Sequence, residues 1–351
     1  MSPKTLVLFR RKLLRWYSQA RRDLPWRRTR DPYAIWVAET MLQQTQVATV
    51  TRYYERFLEA FPTVESLDRA PLPKVLALWS GLGYYRRAAN LKRSARVLIR
   101  NHNGRLPDHY AELRALPGVG DYTAGAVLSI AFDKPYPAVD GNARRVIGRL
   151  FKLRNDKQIR NIAAHFVPAI NPGYFNQALM ELGATICGAN NPRCPECPLG
   201  DGCKSRNSGR KFAAGKSQIF ENITWPLAIV RRKRTLLLRR RPANGILAGL
   251  WEFPGGETTP GKSVQAHLKQ HLEGVEASLS EPKQIGEMRH NITNRKIRSP
   301  VFLFDVKPVS KPTLPSAQWR WSSRQSLNQY PLSSMTLKAA NLLALYEESS
   351  L

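Results

Sequence analysis

Four cysteines restrict most strongly how this chain of 351 residues can fold, because all of them fall between positions 187 and 203. Cys187, Cys194, Cys197 and Cys203 follow the spacing C-x6-C-x2-C-x5-C, among prolines and glycines that let a loop close around one point. Zinc sites usually pair two C-x2-4-C units, whereas this uneven spacing suits a cubane wrapped by four thiolates. The sequence therefore predicts a four-iron four-sulfur cluster, with a zinc site as the alternative.

Net charge indicates the class of partner. The chain has 55 Lys and Arg residues against 26 Asp and Glu residues, which gives a formal charge of +29. This excess is larger than solubility requires, and it favours a polyanionic partner over a merely solvated basic surface. A membrane partner is less favoured, because no run of about 18 apolar residues is present to span a bilayer. We therefore expect nucleic acid as the partner.

Proline and glycine divide the first part of the chain into short helical patterns. The helices predicted there span 33–60, 66–78, 86–101, 109–115, 122–132 and 143–151. The basic amphipathic segment 1–22 precedes them without a cleavage-like site, so we interpret it as structural. The absence of a signal peptide and of scattered cysteines predicts a reducing compartment: the cytoplasm and its nucleoid in a bacterium, or the nucleus or mitochondrion in a eukaryote.

The composition changes after Cys203. Residues 206–218 combine turn formers and charges without an apolar period, as a linker does. Beyond them, strand-like blocks at 225–241 and 299–308 flank a predicted helix at 263–274. We predict a multidomain chain, with an all-α domain at 1–205, a linker at 206–222 and an α+β domain at 223–351.

A glycine-containing turn, LPGVG, stands directly before one of the predicted helices. Gly118 and Gly120 permit backbone conformations that other residues avoid, and the first amides of the following helix form a natural seat for a phosphate. This pattern predicts a helix–hairpin–helix, and an ordinary turn between helices is the alternative. Tyr122 is the second residue after Gly120.

Two carboxylates are candidates for acid–base chemistry. Asp140, in VDGN, precedes a predicted helix and could serve only as its N-cap, but a carboxylate at a helix start also stays ionised. Glu39 lies four residues after Ile35 and three before Leu42, on an apolar helix face. Burial there would raise its pKa and keep a proton available, whereas a solvated glutamate is the commoner alternative.

Several of these segments resemble one known family. The cysteine spacing after the hairpin is similar to that of the endonuclease III and MutY superfamily of DNA glycosylases, and the run ETMLQQTQV resembles the MutY-type adenine glycosylases in particular. LAGLWEFPGGE, at 247–257, resembles the MutT-like C-terminal domain of that family. The resemblance covers nearly the whole chain, and it implies an all-α glycosylase domain followed by an α+β domain of the Nudix fold.

The resemblance implies a reaction and a role for each matching residue. Glu39 protonates ring nitrogen seven of a flipped adenine, and Asp140 stabilises the sugar cation until water captures it. Tyr122 and Asn142 support Asp140 and the sugar. The positions implied near adenine are Trp26, Arg27, Leu42 and Gln177; those implied in the opened base stack are Gln44, Leu82 and Tyr84. The four cysteines bind metal only.

Tyr122 separates this chain from the lyases of the superfamily, which carry a lysine at the matching position. A phenol cannot form an imine with the sugar, so we predict a monofunctional glycosylase. An endonuclease III-type lyase is therefore disfavoured. A thymine-mismatch glycosylase can share the tyrosine, and Glu39 together with the second domain argues against it.

The second domain is predicted to recognise the lesion without hydrolysing nucleotides. The helix HLKQHLE, at 267–273, lacks the Arg and Glu residues that hold divalent metal in Nudix enzymes. Thr293 and Asn294 stand where the family typically has a serine and a histidine against the oxidised guanine, and both can still form hydrogen bonds. The expected substrate is double-stranded DNA with adenine opposite 8-oxoguanine or guanine, bound by a monomer.

Overall fold

The structure is a computed structural model that describes residues 3–206, 220–242, 244–258, 263–275, 278–307, 314 and 316–349. Positions 207–219 of the predicted linker lie outside these residues. The described residues form two compact units, one built from 3–70 and 86–206 and the other from 71–85 and 220–349. Residues 71–85 thus pack with the second unit, although they lie inside the predicted 1–205 domain. The predicted domain limits stay predictions.

The first eleven helices follow one another from the N-terminus to the cysteine loop. They are α1 Pro3–Ala20, α2 Pro32–Leu42, α3 Val47–Ala60, α4 Val64–Arg69, α5 Leu72–Leu78, α6 Arg86–His102, α7 Tyr110–Ala115, α8 Asp121–Ala131, α9 Gly141–Phe151, α10 Asp156–Phe166 and α11 Pro172–Thr185. All except α5 belong to the first unit. No helix among the described residues is long and apolar enough to cross a membrane.

Two predicted helices are wrong, because each is interrupted. The helix predicted at 33–60 is split into α2 and α3 at Gln44, which has a left-handed φ of 58°. The helix predicted at 66–78 is split into α4 and α5 before Pro71, where Ala70 is extended. A residue before proline is driven out of the helical region by the proline ring. The first break was not predicted because residues 33–60 contain no proline or glycine.

The core of the first unit brings helices distant in sequence together. α9 and α11 pack against α1 and α10 in one hydrophobic cluster, while α2 packs on α8. Gly183 of α11 is essential to this arrangement, because a Cβ there would lie 2.6 Å from the Cβ of Asn142. The glycine lets α11 approach the first turn of α9, which carries Asp140 at its N-terminus.

The second unit is a mixed sheet between helices. Its strands are β1 Glu221–Thr224, β2 Leu227–Arg232, β3 Thr235–Arg240, β4 Trp251–Glu252, β5 Lys283–Ile292, β6 Arg295–Asp305 and β7 Trp319–Ser323, and its helices after α5 are α12 Val264–His271 and α13 Ser334–Glu348. The order is β1-β6-β2-β3-β4, with β5 beside β6 and β7 beside β3. β6 is parallel to β1 and β2, and the other pairs are antiparallel.

Side-chain alternation along β2 explains the two helical layers. Leu227 and Ile229 face the cluster that contains α13, whereas Ala228 and Val230 face the cluster that contains α12. Because successive strand residues point to opposite faces, a strand buried on both faces has a continuous apolar sequence. The predicted combination of an all-α domain and an α+β domain is confirmed.

Candidate active site

Glu39 is held inside the protein by α2. Asp31 caps this helix by accepting hydrogen bonds from the backbone N–H groups of Tyr33 and Ala34, and Pro32 occupies its first turn. Every residue from 33 to 41 is buried, and Glu39 itself is only 4% exposed. Burial raises the pKa of Glu39 to about 7. The hydrogen bond from Tyr122 opposes this rise, and the nearby charge of Asp140 adds to it. A carboxyl group in this state holds its proton near neutral pH.

Asp140 is the N-cap of α9 and accepts two hydrogen bonds. Its Oδ1 accepts from the backbone N–H of Ala143 at 2.7 Å, and its Oδ2 accepts from Nδ2 of Asn142 at 2.9 Å. Burial raises the pKa of Asp140, while these hydrogen bonds and the charge of Arg145 oppose the rise. The donors and the helix N-terminus both favour the ionised form. The site thus joins a buried carboxyl group, that of Glu39, and a half-buried one, that of Asp140, in unlike surroundings.

Tyr122, the second residue of α8, connects to the other carboxyl group. Its hydroxyl donates to Oε2 of Glu39 and lies 3.6 Å from Sδ of Met180. The family resemblance implied support of Asp140, but the direct contact is with Glu39. Burial raises the pKa of the phenol well above its ordinary value, so the hydroxyl remains a donor. The hydroxyl of Tyr122 is thus placed to hold the carboxyl group of Glu39 in position, and its predicted role in the reaction stays a prediction.

In the hairpin between α7 and α8, the predicted special backbone is found at Gly118 and not at Gly120, which has an ordinary φ of −93°. Gly118 has a φ of 80°, and a Cβ there would lie 2.7 Å from Nδ2 of Asn90. Gly120 is the N-cap of α8 and offers no side chain to its first amides. The next residue, Asp121, is paired with Arg114 at 2.6 Å and Arg160 at 3.1 Å. Phosphate binding at this hairpin stays a prediction.

The residues predicted around adenine differ in their contacts. Trp26 is buried with its ring edge-on to Tyr54. Arg27 lies close enough to Glu39 to lower its pKa, and Gln177 accepts a hydrogen bond from the hydroxyl of Tyr17 at 3.2 Å. Leu42 is half-buried at the end of α2.

Sequence reasoning missed the residue that holds Arg27. Glu181 is 1% exposed and accepts from Arg27 at 2.8 Å and from Arg22 at 2.6 Å. A usable signal was present, because Glu181 stands four residues after Gln177, on the same face of α11. Removing Glu181 would leave two arginines near the site without their shared partner.

Sequence reasoning also missed the residue that shapes the turn carrying Gln44. Arg87 is buried and donates to the carbonyl oxygens of Thr40 at 3.0 Å and Met41 at 2.7 Å, to that of Gln43, and to the Thr45 hydroxyl at 2.9 Å. These carbonyls would otherwise lack partners at the end of α2. Gln44 is exposed on this turn.

The proposed wedge residues differ in exposure. Tyr84 is 46% exposed with a left-handed φ of 47°, whereas Leu82 is only 5% exposed. Both belong to the segment that packs within the second unit, where the Tyr85 hydroxyl donates to the carbonyl of Leu332 at 2.5 Å. Tyr84 thus has the accessibility that contact with DNA requires, and a DNA role for Leu82 stays a prediction.

The cysteine loop follows α11 directly. Cys187, Cys197 and Cys203 pack against the core, and all four cysteines are half-buried. Burial raises the pKa of Cys197 to about 11, and the other three thiols raise it further, so the four thiols lie within electrostatic reach of one another. Arg149 donates to Sγ of Cys187 at 3.3 Å and to the carbonyls of two neighbouring residues. Thiol donors beside a guanidinium suit an anionic thiolate-bound group. Among the described residues, however, no three His, Cys, Asp or Glu side chains have the mutual geometry of a metal site.

Thr293 and Asn294 form the two-residue turn between β5 and β6. Thr293 has a left-handed φ of 53°, and both side chains are exposed at the tip. The segment 267–271, predicted to be helical, belongs to α12, and a ring nitrogen of His267 lies 3.1 Å from the carbonyl oxygen of Gly256. The hairpin tip is accessible to a partner, and its recognition role stays a prediction.

Comparison with known proteins gives two family matches. Residues 37–172 match the HhH-GPD superfamily of base excision DNA repair proteins, and residues 227–342 match the NUDIX domain. The rat adenine DNA glycosylase is 36% identical over an alignment of 382 residues, which covers 90% of this chain and 74% of that protein. The adenine DNA glycosylase of Buchnera aphidicola from Baizongia pistaciae is 40% identical over 260 residues, covering 71% of this chain and 74% of that protein.

A solved structure supports the same fold for the first part of the chain. A thermostable thymine-DNA glycosylase is similar with a TM-score of 0.56 and 33% identity, over 58% of this chain and 98% of that chain. The family predicted from the sequence motifs is thus confirmed, because related proteins match both domains across most of their length. The chain belongs to the adenine DNA glycosylase family.

Proposed function

We propose that this chain excises adenine from double-stranded DNA in base excision repair. The observation that carries the proposal is the buried Glu39, whose pKa is raised to about 7 beside the ionisable Asp140. Two carboxyl groups held in unlike surroundings can divide acid and electrostatic roles at one bond. The charge of +29 supplies the attraction to the DNA backbone.

The proposed reaction follows from the two carboxyl groups. Glu39 gives its proton to ring nitrogen seven of a flipped adenine, which makes the base a better leaving group. The bond between base and sugar breaks, and Asp140 stabilises the cation that forms. Tyr122 orients Glu39, and Asn142 orients Asp140. Water then adds to the sugar cation and gives up a proton, which returns to the ionised Glu39.

The first prediction concerns the product. Because Tyr122 cannot form an imine, duplexes with adenine opposite 8-oxoguanine should yield abasic sites whose strand breaks only after alkali. The measurement is strand breakage before and after alkali, with borohydride added in a parallel reaction. A duplex with adenine opposite guanine is the second expected substrate, and duplexes with adenine opposite thymine or thymine opposite guanine are the controls. A borohydride-trapped adduct would contradict the monofunctional mechanism, and preferential removal of thymine would contradict the adenine specificity.

The proposed preference for adenine opposite 8-oxoguanine or guanine gives a second prediction. Changing Thr293→Ala together with Asn294→Ala should lower discrimination for 8-oxoguanine over guanine by about 1–3 kcal/mol, the usual effect of a lost contact to a base edge. Single-turnover rates and affinities for both duplexes measure the change, and the exposed Asn328→Ala is the control. An unchanged ratio would place recognition elsewhere.

We also propose that Cys187, Cys194, Cys197 and Cys203 hold a four-iron four-sulfur cluster in a monomeric protein. The cluster would cross-link the loop and has no part in the steps above. Aerobically purified protein should then be yellow-brown and contain about four irons per chain. Cys197→Ser should lower the iron content, whereas Glu196→Gln in the same loop should not. Stoichiometric zinc without iron would show that the alternative metal is correct.

A further inference from the structure

Tyr17 contacts two residues that are predicted to lie near adenine, although the proposed reaction gives it no role. It belongs to α1, is 1% exposed and packs edge-on against Tyr174, with 4.7 Å between the ring centroids. Its hydroxyl donates to Oε1 of Gln177 at 3.2 Å, and the guanidinium of Arg27 lies 5.4 Å from the centroid of its ring. One buried side chain thus supports both Gln177 and Arg27.

The face of α11 that carries Gln177 borders the excision site. Gln177 stands three residues before Met180 and four before Glu181, so these side chains lie on one face of the helix. Sδ of Met180 is 3.6 Å from the hydroxyl of Tyr122, and Glu181 accepts a hydrogen bond from Arg27 at 2.8 Å. A change in the orientation of Gln177 therefore alters a group beside the proposed base pocket.

The hydrogen bond between Tyr17 and Gln177 has a defined direction. Burial raises the pKa of Tyr17 to about 12, so its hydroxyl carries a proton at neutral pH. Among the described residues, the amide oxygen of Gln177 is the one acceptor for that proton, and leaving a buried donor unsatisfied costs free energy. The amide therefore turns its oxygen toward Tyr17 and its Nε2, which only donates, away from it.

The Nε2 group of Gln177 is left to a ligand. Within the described part of the chain it donates no hydrogen bond, and Gln177 is half-buried. Adenine has acceptors at ring nitrogens one, three and seven. The proposed reaction uses nitrogen seven for Glu39, and nitrogen three lies beside the bond to the sugar. Ring nitrogen one is therefore the acceptor that an amide donor can use.

We propose that Tyr17 is a positioning residue that selects adenine by fixing the amide of Gln177. Because the hydroxyl holds the amide oxygen, the amide presents only donors to the base, and these fit ring nitrogen one of adenine. Hypoxanthine carries a hydrogen on that nitrogen, so it would place one donor against another. The inference rests on the proposed excision of adenine, and it assigns α1 a part in base selection.

Tyr17→Phe removes the hydroxyl and keeps the ring. The released amide of Gln177 can then rotate and present either of its ends to the base. Tyr33→Phe is the matched control, because Tyr33 is also buried and its hydroxyl donates to the carbonyl of Phe61 at 2.8 Å, a contact that does not involve Gln177. Thermal unfolding of both variants measures what each lost hydrogen bond contributes to stability.

A double-mutant cycle tests whether Tyr17 acts through Gln177. The measurement is the single-turnover rate of adenine excision opposite 8-oxoguanine. We expect Tyr17→Phe to lower this rate about three- to tenfold, the usual effect of one lost hydrogen bond, and Tyr33→Phe to change it less than about twofold. In a Gln177→Met background, which has no amide to orient, Tyr17→Phe should have no further effect.

A duplex with hypoxanthine in place of adenine gives the second readout. The ratio of the adenine rate to the hypoxanthine rate should fall about three- to tenfold in Tyr17→Phe and stay constant in Tyr33→Phe, since a loss of stability alone affects both substrates equally. An equal rate loss in both backgrounds, or an unchanged ratio, overturns the inference and leaves adenine excision standing. If the unmodified protein removes no adenine, the proposed function fails as well.

Discussion

Glu39→Gln is expected to lower the single-turnover rate of adenine removal by about 10²–10⁴-fold, the usual contribution of a positioned general acid. Glutamine has nearly the same size and can still accept the hydrogen bond from Tyr122, but it cannot transfer a proton. Duplex affinity should change little, because a group buried at 4% exposure contacts no phosphate of the backbone. The exposed Glu59→Gln is the matched control.

The same substitution should stabilise the folded protein at alkaline pH. The pKa of Glu39 is raised from 4.5 to about 7 in the folded state. The folded state therefore binds more protons than the unfolded state between these values, and the free energy of unfolding falls as the pH rises through them. At pH 8 this carboxylate costs roughly 3 kcal/mol, from the size of the shift.

Thermal unfolding at pH 5 and pH 8 tests this linkage. Glu39→Gln should have a higher Tm than the unmodified chain at pH 8, and the difference should shrink at pH 5, where Glu39 is largely protonated in the folded protein. Opposite effects on rate and stability would mark Glu39 as a group kept for chemistry at the expense of stability. A normal excision rate in this variant would contradict the acid role.

The sequence was sufficient for features that depend on local patterns. The apolar periods predict α6, α7, α8, α9 and α12, the glycines predict the turn before α8, and VDGN predicts the cap at Asp140 because N-capping involves residues only three positions apart. The buried position of Glu39 also follows from its neighbours in α2. The mixed sheet could be anticipated as strand-like blocks, but the parallel pairing of β2 with β6 depends on contacts between distant segments.

Features that depend on distant partners could not be predicted in this way. Arg87 stabilises the end of α2 from α6, and no local pattern relates these two segments. Tyr122 contacts Glu39 instead of Asp140 because the packing of α2 on α8 decides which carboxyl group its hydroxyl reaches. Leu82 is buried because the segment 71–85 packs with residues much later in the chain.

Asp140→Asn is expected to lower the excision rate by about 10²–10³-fold, the usual effect of removing one electrostatic contact to a transition state. Asparagine is also a good N-cap, so its Oδ1 can keep the hydrogen bond from the Ala143 N–H and α9 should remain folded. Asp133→Asn, at an exposed position after α8, is the control for the loss of one carboxylate. A rate close to that of the unmodified protein would show that the cation is stabilised by another group.

The pH profile separates this electrostatic role from a structural one. The rate of the unmodified protein should fall as the pH rises above about 7, because Glu39 then loses the proton it must donate. The negative charge of Asp140 contributes to that raised pKa. In Asp140→Asn, the residual activity should therefore begin to fall at a lower pH. If the two carboxyl groups did not interact, the rate of the variant would begin to fall at the same pH as that of the unmodified protein, and only the maximal rate would be lower.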